Sequence, residues 1–581
     1  MFKKEIKLGI AGKSIVINWY TCIMFITMAL GLAFLLWRAK YGFCYNDEPF
    51  IVTLAQRLYN GDALIVDEWH GTQLFSAVLL PFYAAFRLFS STNEGILLVF
   101  RYTYCVLWWI TCSALCLRLS KRYKSAPLVF IYLILFSPLD YMTLSYTSIG
   151  LMCALVISYI LYHISLDEKR PKVVVKIAFS VCWVVLVLSS PFMAIVYIGL
   201  LLMAIIGAYI EKKKESGFFF HNLLHMYKLS IIIAGITAIA YVVLFIISRA
   251  DISTVIENIP YVLSDPEHES ISFFGSLIKT IEEFYLKYPA YIIVSMVIIA
   301  CGFIFKSKLN IIRILLFTVS GAMFVYGQYL YLQSDMLDFN FQMAYVVILG
   351  AVAFSLLNRK NYALFFSFYG FSIAYTLLNG VVSNTGIMAT SMTLTVAGVA
   401  GIIFIVEFMK ELVEQYKSLP ILRIVSIVIV CAMLLVQGSS ELYVRLHRQY
   451  WDASLPELTY KIRSGAAKGL MTTSQQVFNY EMLNQNLTYL LRLADTEDKT
   501  FMSCTSAPYV YLNADMDFAT FSAWTFGYGA NLNDRVLQYQ YEDTDHVPDI
   551  VFCGSQNDIL PFIDDTYIQY NYGGSYLFVK K

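Results

Sequence analysis

Two adjacent carboxylates, Asp47 and Glu48, follow the end of the first long apolar segment of the chain. A carboxylate can take a proton from a hydroxyl or an amine, so the pair could supply a general base. At the start of a helix, both residues would also be stabilised by the helix dipole. Hydration of a helix end explains an acidic pair beside a membrane equally well. The choice between the two explanations depends on the surrounding residues.

The loop after the pair holds further polar groups and two short helical patterns. Residues 48–59 predict an amphipathic helix, and Asn60-Gly61-Asp62 ends it as a turn. Residues 72–90 are apolar, but Pro81 and Arg87 interrupt them, which favours a helix lying in the outer interface. The other polar residues of this loop are Asp67, Glu68, Trp69, His70 and Gln73.

The composition indicates a membrane protein. Of the 581 residues, 58% are hydrophobic and only 14% are charged, whereas soluble domains are usually about 25% charged. Apolar runs long enough to cross a ~30 Å hydrocarbon core recur along the chain. These features predict a polytopic α-helical protein of the cytoplasmic (inner) membrane. The formal net charge of +1 indicates nothing about partners.

Thirteen spans satisfy the positive-inside rule, with the N-terminus in the cytoplasm and the C-terminal region outside. This assignment requires that residues 72–90 do not cross the membrane. The predicted spans are 15–37, 96–117, 126–140, 144–164, 172–189, 191–210, 228–248, 289–305, 311–332, 341–357, 362–379, 386–408 and 420–438.

Two domains follow from this assignment. Residues 1–440 form a transmembrane module with an outer loop at 38–95 and a larger outer loop at 249–288. Residues 441–581 are long enough for a small extracytoplasmic α/β domain with its own core. Its predicted elements are a helix at 474–494 and strands at 500–504, 509–512, 549–553 and 576–580.

The residues of the first loop resemble the GT-C superfamily of membrane glycosyltransferases. The likeness rests on the acidic pair, on Leu58-x-x-Gly-Asp62, on Trp69 to Gln73 followed by an apolar helix containing Pro81, and on Arg101 at the start of the second span. Within the superfamily, the branch of the protein O-mannosyltransferases and the lipid A aminoarabinose transferase is the most similar. The resemblance is firm over 41–101, looser over 126–210, and topological beyond.

That resemblance implies an inverting transfer outside the cytoplasm from a polyprenyl-phosphate-linked sugar donor to a glycan, lipid or protein. It implies that Asp47 is the catalytic base and that Glu48 is its neighbour. The chain departs from the family pattern where a second acidic residue is expected, since Asp140 comes early and Tyr146 lies nearer the usual place. The residues expected to contact substrates are His70, Gln73, Arg101, Asp140, Tyr146, His268 and Asn384.

Several of these features also have a simpler structural explanation. Asp265, Glu267 and His268 could bind a divalent cation, or they could belong to an ordinary polar loop with an Asp-Pro turn. His70 could be a hydrogen-bonded interfacial histidine, and Asn384 could belong to a helix cap. No cofactor is certain. Of the eleven cysteines, Cys504 and Cys553 could pair in an oxidising compartment or remain buried thiols.

Other functions also remain open. A transporter or flippase of lipid-linked sugars would place charged residues in the middle of its spans, and the predicted spans contain few of them. A non-catalytic cell-envelope assembly protein would not need its carboxylates to converge. The sequence shows no phosphate-binding glycine loop and no nucleic-acid patch.

Overall fold

The computed structural model describes most of the chain. The described residues are 6–10, 13–17, 19–136, 142–215, 217–248, 251–263, 273–287, 289–304, 310–333, 340–357, 361–383, 390–447, 452–494, 496, 499–524, 546–558 and 563–581.

The N-terminal part begins with a two-stranded antiparallel hairpin and continues into the first long helix. Strands β1 (Ile6–Ile10) and β2 (Lys13–Ile17) form the hairpin, and helix α1 covers Trp19–Arg38. The first span therefore starts later than residue 15, where the apolar pattern had placed it. Helix α2 (Asp47–Asn60) and helix α3 (Ser76–Arg87) form the loop that follows, and α4 (Ile96–Leu119) returns to the bundle.

The remaining helices of the bundle follow in chain order. They are α5 (Ala126–Leu135), α6 (Tyr146–Ile164), α7 (Val173–Ser189), α8 (Met193–Lys214), α9 (Phe219–Ile247), α10 (Ile252–Leu263), α11 (Phe273–Lys287), α12 (Pro289–Ile304), α13 (Asn310–Leu332), α14 (Asn340–Leu356), α15 (Tyr362–Phe365), α16 (Phe371–Ser383), α17 (Thr390–Gln415) and α18 (Pro420–His447). A π-helical turn at Phe366–Gly370 joins α15 to α16.

The predicted number of spans agrees with the helices. Within the described residues, nine helices are long and apolar enough to cross a membrane, by length and composition. Four shorter apolar helices, α5, α7, α12 and α14, coincide with four further predicted spans. Together the nine and the four account for the thirteen predicted spans. The chain is a multi-pass helical membrane protein.

Helix α3 is not among the nine long or the four shorter apolar helices of the described residues. It has Pro81 in its interior and Arg87 in its last turn, which favours a position in the interface over a span. The turn predicted after α2 is present, because Gly61 has a left-handed φ of 108° and its N–H donates to the carbonyl of Arg57. Both short helices predicted in the first loop are therefore present.

The large loop at 249–288 contains two helices that the sequence analysis did not predict. Helices α10 and α11 each expose one apolar face, with Ile252, Leu263 and Phe274 among the exposed side chains. Both helices are amphipathic, as expected for segments that lie along a membrane surface. The amide of Asn258 in α10 donates to the carbonyl of Ile65 at 3.0 Å, so α10 contacts the first loop.

The C-terminal region is an α/β domain, as predicted. It contains β3 (Tyr460–Lys461), β4 (Met471–Thr472), α19 (Ser474–Leu493), β5 (Thr500–Ser503), α20 (Tyr509–Ala514), β6 (Asp517–Phe518), β7 (Ile550–Cys553), β8 (Tyr567–Tyr572) and β9 (Ser575–Lys580). Its five-stranded sheet has the order β6-β5-β7-β9-β8. Strand β5 pairs in parallel with β6 and β7, while β9 is antiparallel to β7 and β8.

The strand predicted at 509–512 is wrong. These residues form helix α20, which starts after Pro508 and ends at Asp515 in a left-handed conformation. A short apolar run of four residues fits a buried strand and a buried helical turn equally well. The preceding proline, which favours the first turn of a helix, is the signal that distinguishes them.

The C-terminal domain docks on the first loop through backbone and side-chain hydrogen bonds. The N–H of Met471 donates to the carbonyl of Lys40 at 2.7 Å, and the N–H of Gly42 donates to Met471 at 2.8 Å. Asn93 is buried and donates to the carbonyl of Leu512 at 3.1 Å. These bonds fix the end of α1 and the start of α4 to the same domain.

We predict that Asn93→Ala weakens this docking. Asn93 also donates to the Asp515 carboxylate and accepts from the Tyr83 hydroxyl, at 3.0 Å and 2.8 Å. Truncation strands these buried groups, so we expect the free energy of unfolding to fall by about 1–3 kcal/mol. Thermal unfolding of the solubilised protein and limited proteolysis of the C-terminal domain measure the effect. The exposed Asn479→Ala is the matched control, and equal stability of both variants would contradict the prediction.

Candidate functional site

Asp47 lies at the first position of α2 and is half-buried. The buried side chain of Asn46 caps the helix by accepting from the N–H of Asp47 at 2.9 Å. The Cys44 thiol donates to the same Asn46 oxygen at 3.1 Å. Burial, followed by the charges of Asp47 and Glu48, raises the pKa of the Cys44 thiol well above its usual range. The thiol therefore stays protonated and supports the cap.

Glu48 forms a buried ion pair with Arg101. Both guanidinium contacts, from Nε to Oε1 and from Nη2 to Oε2, are 2.6 Å long. The side chain of Glu48 is 0% exposed and that of Arg101 is 2% exposed. The remaining nitrogen of Arg101 donates to the carbonyls of Ala39 and Tyr41 at 3.0 Å and 3.3 Å. The pair therefore joins the start of α2 to α4 and to the end of α1.

Arg57 is the centre of a second charged group, here called the Arg57 cluster, which comprises Arg57, Asp62, Asp67 and Glu68. Arg57 donates to the carboxylates of Asp62 and Glu68 at 2.7 Å and 3.0 Å, and also to the backbone carbonyl of Asp67. The ring of Phe518, from the C-terminal domain, lies 4.9 Å from the guanidinium carbon. The cluster closes the loop after α2 around one buried cation.

The three carboxyl groups of the Arg57 cluster titrate differently. Burial raises the pKa of Asp62 to about 7 against the opposing charge of Arg57, and Asp67 adds to the rise. Burial likewise raises the pKa of Glu68. For Asp67, burial acts in the same direction, but hydrogen bonds from His546 and the Ala63 N–H and the charge of Arg57 outweigh it and lower the pKa.

His70 and Gln73 lie beside the Arg57 cluster. The N–H of His70 donates to Glu68 at 2.9 Å, and its ring nitrogen Nδ1 lies 2.8 Å from the Thr72 hydroxyl. The buried Gln73 accepts from the N–H of Ile65 at 2.5 Å. Ile65 has a positive φ of 68°, an unusual conformation for a β-branched residue. Gln73 therefore helps to hold a strained backbone position beside His70.

Aromatic contacts connect the first turn of α2 with His70, which lies beside the Arg57 cluster. The Phe50 ring of α2 lies 4.6 Å from His70 and 5.1 Å from Trp524 of the C-terminal domain. The backbone N–H of Trp69 donates to the carbonyl of Phe521 at 2.8 Å, and the Trp69 ring stacks on Tyr261 of α10 at 5.1 Å. Three separate parts of the chain thus enclose the region around His70.

An open groove lies on the bundle at the C-terminal end of α1. Its volume is about 490 Å³, and it is lined by Leu36, Trp37, Lys40 and Tyr102. Three of these side chains are apolar or aromatic, and one is cationic. Such a lining can take a hydrocarbon chain alongside an anionic headgroup.

The structure brings some of the predicted site residues together and leaves others apart. Asp47, Glu48 and Arg101 meet at the start of α2, and Phe50 connects this helix to His70 and hence to the neighbouring Gln73. Tyr146 is half-buried at the start of α6, near Tyr375. Among the predicted residues, Asp140, Asp265, Glu267, His268 and Asn384 lie outside the described part of the chain.

The described residues contain no group of three or more His, Cys, Asp or Glu side chains that could hold a metal ion. The metal ligands predicted at 265–268 remain a prediction, because the structure does not describe them.

Sequence reasoning missed the role of Arg57. The helical pattern placed Arg57 off the apolar face of α2, which suggested solvent exposure. In the structure it is 2% exposed. The available signal was the number of acidic residues after it, since Asp62, Asp67 and Glu68 all follow within one loop and a buried arginine requires such partners.

No family model and no curated protein matches the chain. Among solved structures, the crystal structure of ArnT from Cupriavidus metallidurans in the apo state aligns with 96% of this chain and 97% of that chain. The identity is 11% and the TM-score is 0.36.

We predict that Glu48→Gln destabilises the protein strongly. Removing the carboxylate leaves the Arg101 charge buried and unpaired, which typically costs about 3–5 kcal/mol. The double variant Glu48→Met with Arg101→Met buries no charge and should lose less stability than the single variant. Thermal unfolding of the wild type, Glu48→Met, Arg101→Met and the double variant gives the coupling between the two residues. Additive losses would contradict a paired role.

We also predict a pH-dependent stability that Asp62→Asn reduces. The pKa of Asp62 is raised to about 7 in the folded state, compared with about 3.9 when unfolded. The folded state therefore binds the Asp62 proton more strongly than the unfolded state does. The contribution of Asp62 to the free energy of unfolding falls as pH rises from about 4 through about 7. Between pH 5 and pH 8, the unfolding temperature of Asp62→Asn should fall less than that of the wild type. A parallel fall in both proteins would contradict the assignment.

Proposed function

We propose that this protein is a glycosyltransferase that uses a polyprenyl-phosphate-linked sugar at the outer face of the cytoplasmic membrane. The acceptor is a glycan, a lipid or a protein, and the transfer inverts the anomeric configuration. The acceptor oxygen forms a bond to the anomeric carbon while the bond from that carbon to the phosphate oxygen breaks. Asp47 takes the proton of the acceptor hydroxyl, and polyprenyl phosphate leaves.

The difference between the two adjacent carboxylates is the observation that carries this proposal. Both oxygens of Glu48 accept charged hydrogen bonds, and the side chain is inaccessible. Asp47 is half-buried at the same helix end. A general base must be reachable by its substrate and yet be held in place. Of the pair, Asp47 meets both requirements, since the Asn46 cap fixes its backbone.

We assign a positioning role to Glu48, and the same role to Arg101 in place of the substrate contact expected from the sequence. Arg101 contacts the end of α1 through two carbonyls and the start of α2 through Glu48. This arrangement sets the distance of Asp47 from the membrane boundary. A small displacement of a catalytic group is sufficient to cost a large factor in rate.

The groove lined by Leu36, Trp37, Lys40 and Tyr102 supports a lipid-linked donor. Its apolar walls lie on the two helices that the Glu48–Arg101 pair connects to Asp47. Lys40 is exposed there and can meet an anionic phosphate as a flexible point charge. We propose that the donor enters through this groove from the membrane.

The surface around His70 fits the acceptor side. It is formed by α2, by α10 and by Phe521 and Trp524 of the C-terminal domain. Aromatic rings beside polar groups suit a sugar or a similar amphipathic acceptor. We therefore propose that the C-terminal domain positions the acceptor. A divalent cation with ligands from 265–268 is a separate element of the proposal.

The position of the buried charges favours transfer over transport. Helix α18 buries Glu441 and Arg445 near its C-terminal end, beyond residue 438, where the sequence had placed the end of the last span. An ion-coupled transporter would need such groups along the substrate path in the middle of the membrane. Here they lie at the end of the helix that leads into the C-terminal domain.

We predict that Asp47→Asn abolishes transfer and leaves the fold intact. Loss of a positioned general base typically reduces the rate by about 10²–10⁴-fold. Mass analysis of surface glycans and lipids from cells that carry the wild type or the variant detects the missing sugar and identifies it. Thermal unfolding of the purified variant should match the wild type.

The matched control is Glu94→Gln. Glu94 is an exposed carboxylate of the same loop, and its partner is Lys468 at 3.1 Å. This variant should retain full transfer. A folded Asp47→Asn protein with undiminished transfer would overturn the assignment of the base, whereas unchanged glycans in a strain that lacks the whole protein would overturn the proposed function.

A further inference from the structure

Two cysteines occupy neighbouring positions at the carboxyl ends of two paired strands. Strands β5 and β7 are parallel, with Ser503 opposite Phe552. The next residues along the two strands are Cys504 and Cys553, and the N–H of Cys504 donates to the carbonyl of Phe552 at 2.9 Å. The ladder thus continues to the cysteines. Neighbouring strands lie about 4.8 Å apart, within the Cα separation of about 4.4–6.8 Å that a disulfide needs.

Both cysteines also point to the same face of the sheet. Side chains alternate along a strand, and Met502 and Val551, two residues before the cysteines, pack in one small apolar cluster with Cys553 and Cys504. The residues in between, Ser503 and Phe552, point to the opposite face. The two thiols are close enough to form a hydrogen bond with each other.

We propose that Cys504 and Cys553 form a disulfide in the mature protein. This inference rests on the proposed placement of the C-terminal domain outside the cytoplasm, where disulfides form and persist. In the structure both residues are thiols. Cys504 is half-buried and Cys553 is fully buried, so Cys504 is the residue that an oxidant reaches first.

The oxidant is a disulfide-bearing protein oxidoreductase of the outer compartment. The Cys504 thiolate attacks one sulfur of the oxidant's disulfide, which forms a mixed disulfide and releases one oxidant thiolate. The Cys553 thiolate then attacks the Cys504 sulfur and releases the second. Two protons and two electrons pass to the oxidant, which leaves as a dithiol.

The bond would join the ends of the chain segment that contacts the candidate site. Between the two cysteines, Asp517 accepts from Asn60 at 3.0 Å, Phe521 accepts from Trp69 at 2.8 Å, and Trp524 packs on Phe50. The Phe518 ring that covers Arg57 lies in the same segment. Oxidation would therefore fix both ends of one wall of the site to the centre of the sheet.

A second pair of neighbouring thiols provides an internal control. Cys153 of α6 and Cys182 of α7 also lie within hydrogen-bonding distance of each other, but they lie inside two membrane-spanning helices. A soluble oxidoreductase cannot reach them there. In both pairs the two thiols are close together, but under the proposal only Cys504 and Cys553 lie where a soluble oxidoreductase can reach them.

The experiment begins with full-length protein purified from its native membrane without reductant. Free thiols are alkylated under denaturing conditions, and peptides are analysed by mass spectrometry before and after reduction. We expect a linked 504–553 peptide pair that alkylates only after reduction, together with alkylated Cys153 and Cys182. Complete alkylation of Cys504 and Cys553 without reduction would overturn the proposal.

Placement of the domain is tested separately so that the two failures are distinguishable. Tyr460→Cys introduces a thiol at an exposed position of β3, and a membrane-impermeant maleimide is applied to intact cells. If the maleimide labels Tyr460→Cys while Cys504 and Cys553 are found as free thiols, only the disulfide proposal is overturned. Absence of labelling would overturn the outer placement and the proposed function with it.

A measurement of thermal stability completes the test. Cys504→Ser should lower the unfolding temperature of non-reduced protein to that of reduced wild type, and reductant should no longer affect it. Cys182→Ser should retain the sensitivity to reductant. If reductant leaves the unfolding temperature of wild type unchanged, the proposed joining of the wall to the sheet is wrong.

Discussion

The burial of Arg101 is the constraint on which the first loop depends. A guanidinium in this position requires an anionic partner and acceptors for its remaining protons. Glu48 supplies the first, and the carbonyls of Ala39 and Tyr41 supply the second. These partners belong to the end of α1 and the start of α2. The chain between the first two spans must therefore fold back on α4, which sets the position of Asp47.

Arg57 applies the same principle a second time within one loop. Its partners are two carboxylates and a backbone carbonyl from the following turn. The two arginines form ion pairs with three acidic side chains of the loop, Glu48, Asp62 and Glu68. Asp47 and His70 lie between these centres, connected by the Phe50 ring. The acidic loop thus contains two buried clusters, each around one arginine, with a small polar surface between them.

The sequence predicted the large features of the fold because they follow from composition and periodicity. Thirteen apolar segments, the helix at 48–59 and the short helix near residue 80 all have local causes. The strand predicted at 509–512 was wrong because a four-residue apolar run does not define a period. Helices α10 and α11 were missed because, at 12 and 15 residues, they are shorter than a span, and the acidic residues near them favoured an outer loop.

The site was predictable in its residue types but not in its pairings. The sequence identified Asp47, Glu48, His70 and Arg101, yet it did not predict that Arg101 pairs with Glu48. Which carboxylate meets which arginine depends on how α2 packs against α4, and local pattern does not determine that packing. The burial of Arg57 depends on Phe518, which is far away in sequence. The sequence pattern of a short segment does not predict contacts between residues so far apart in the chain.

The docking of Met471 on Lys40 also has a consequence for the order of assembly. The residues that enclose His70 come from the beginning and from the end of the chain, and Trp69 contacts Phe521 directly. During synthesis the first loop emerges long before the C-terminal domain exists. The aromatic side chains of the loop therefore stay uncovered until the last helix has been inserted and the C-terminal domain has folded. The surface around His70 is completed only at the final stage of biogenesis.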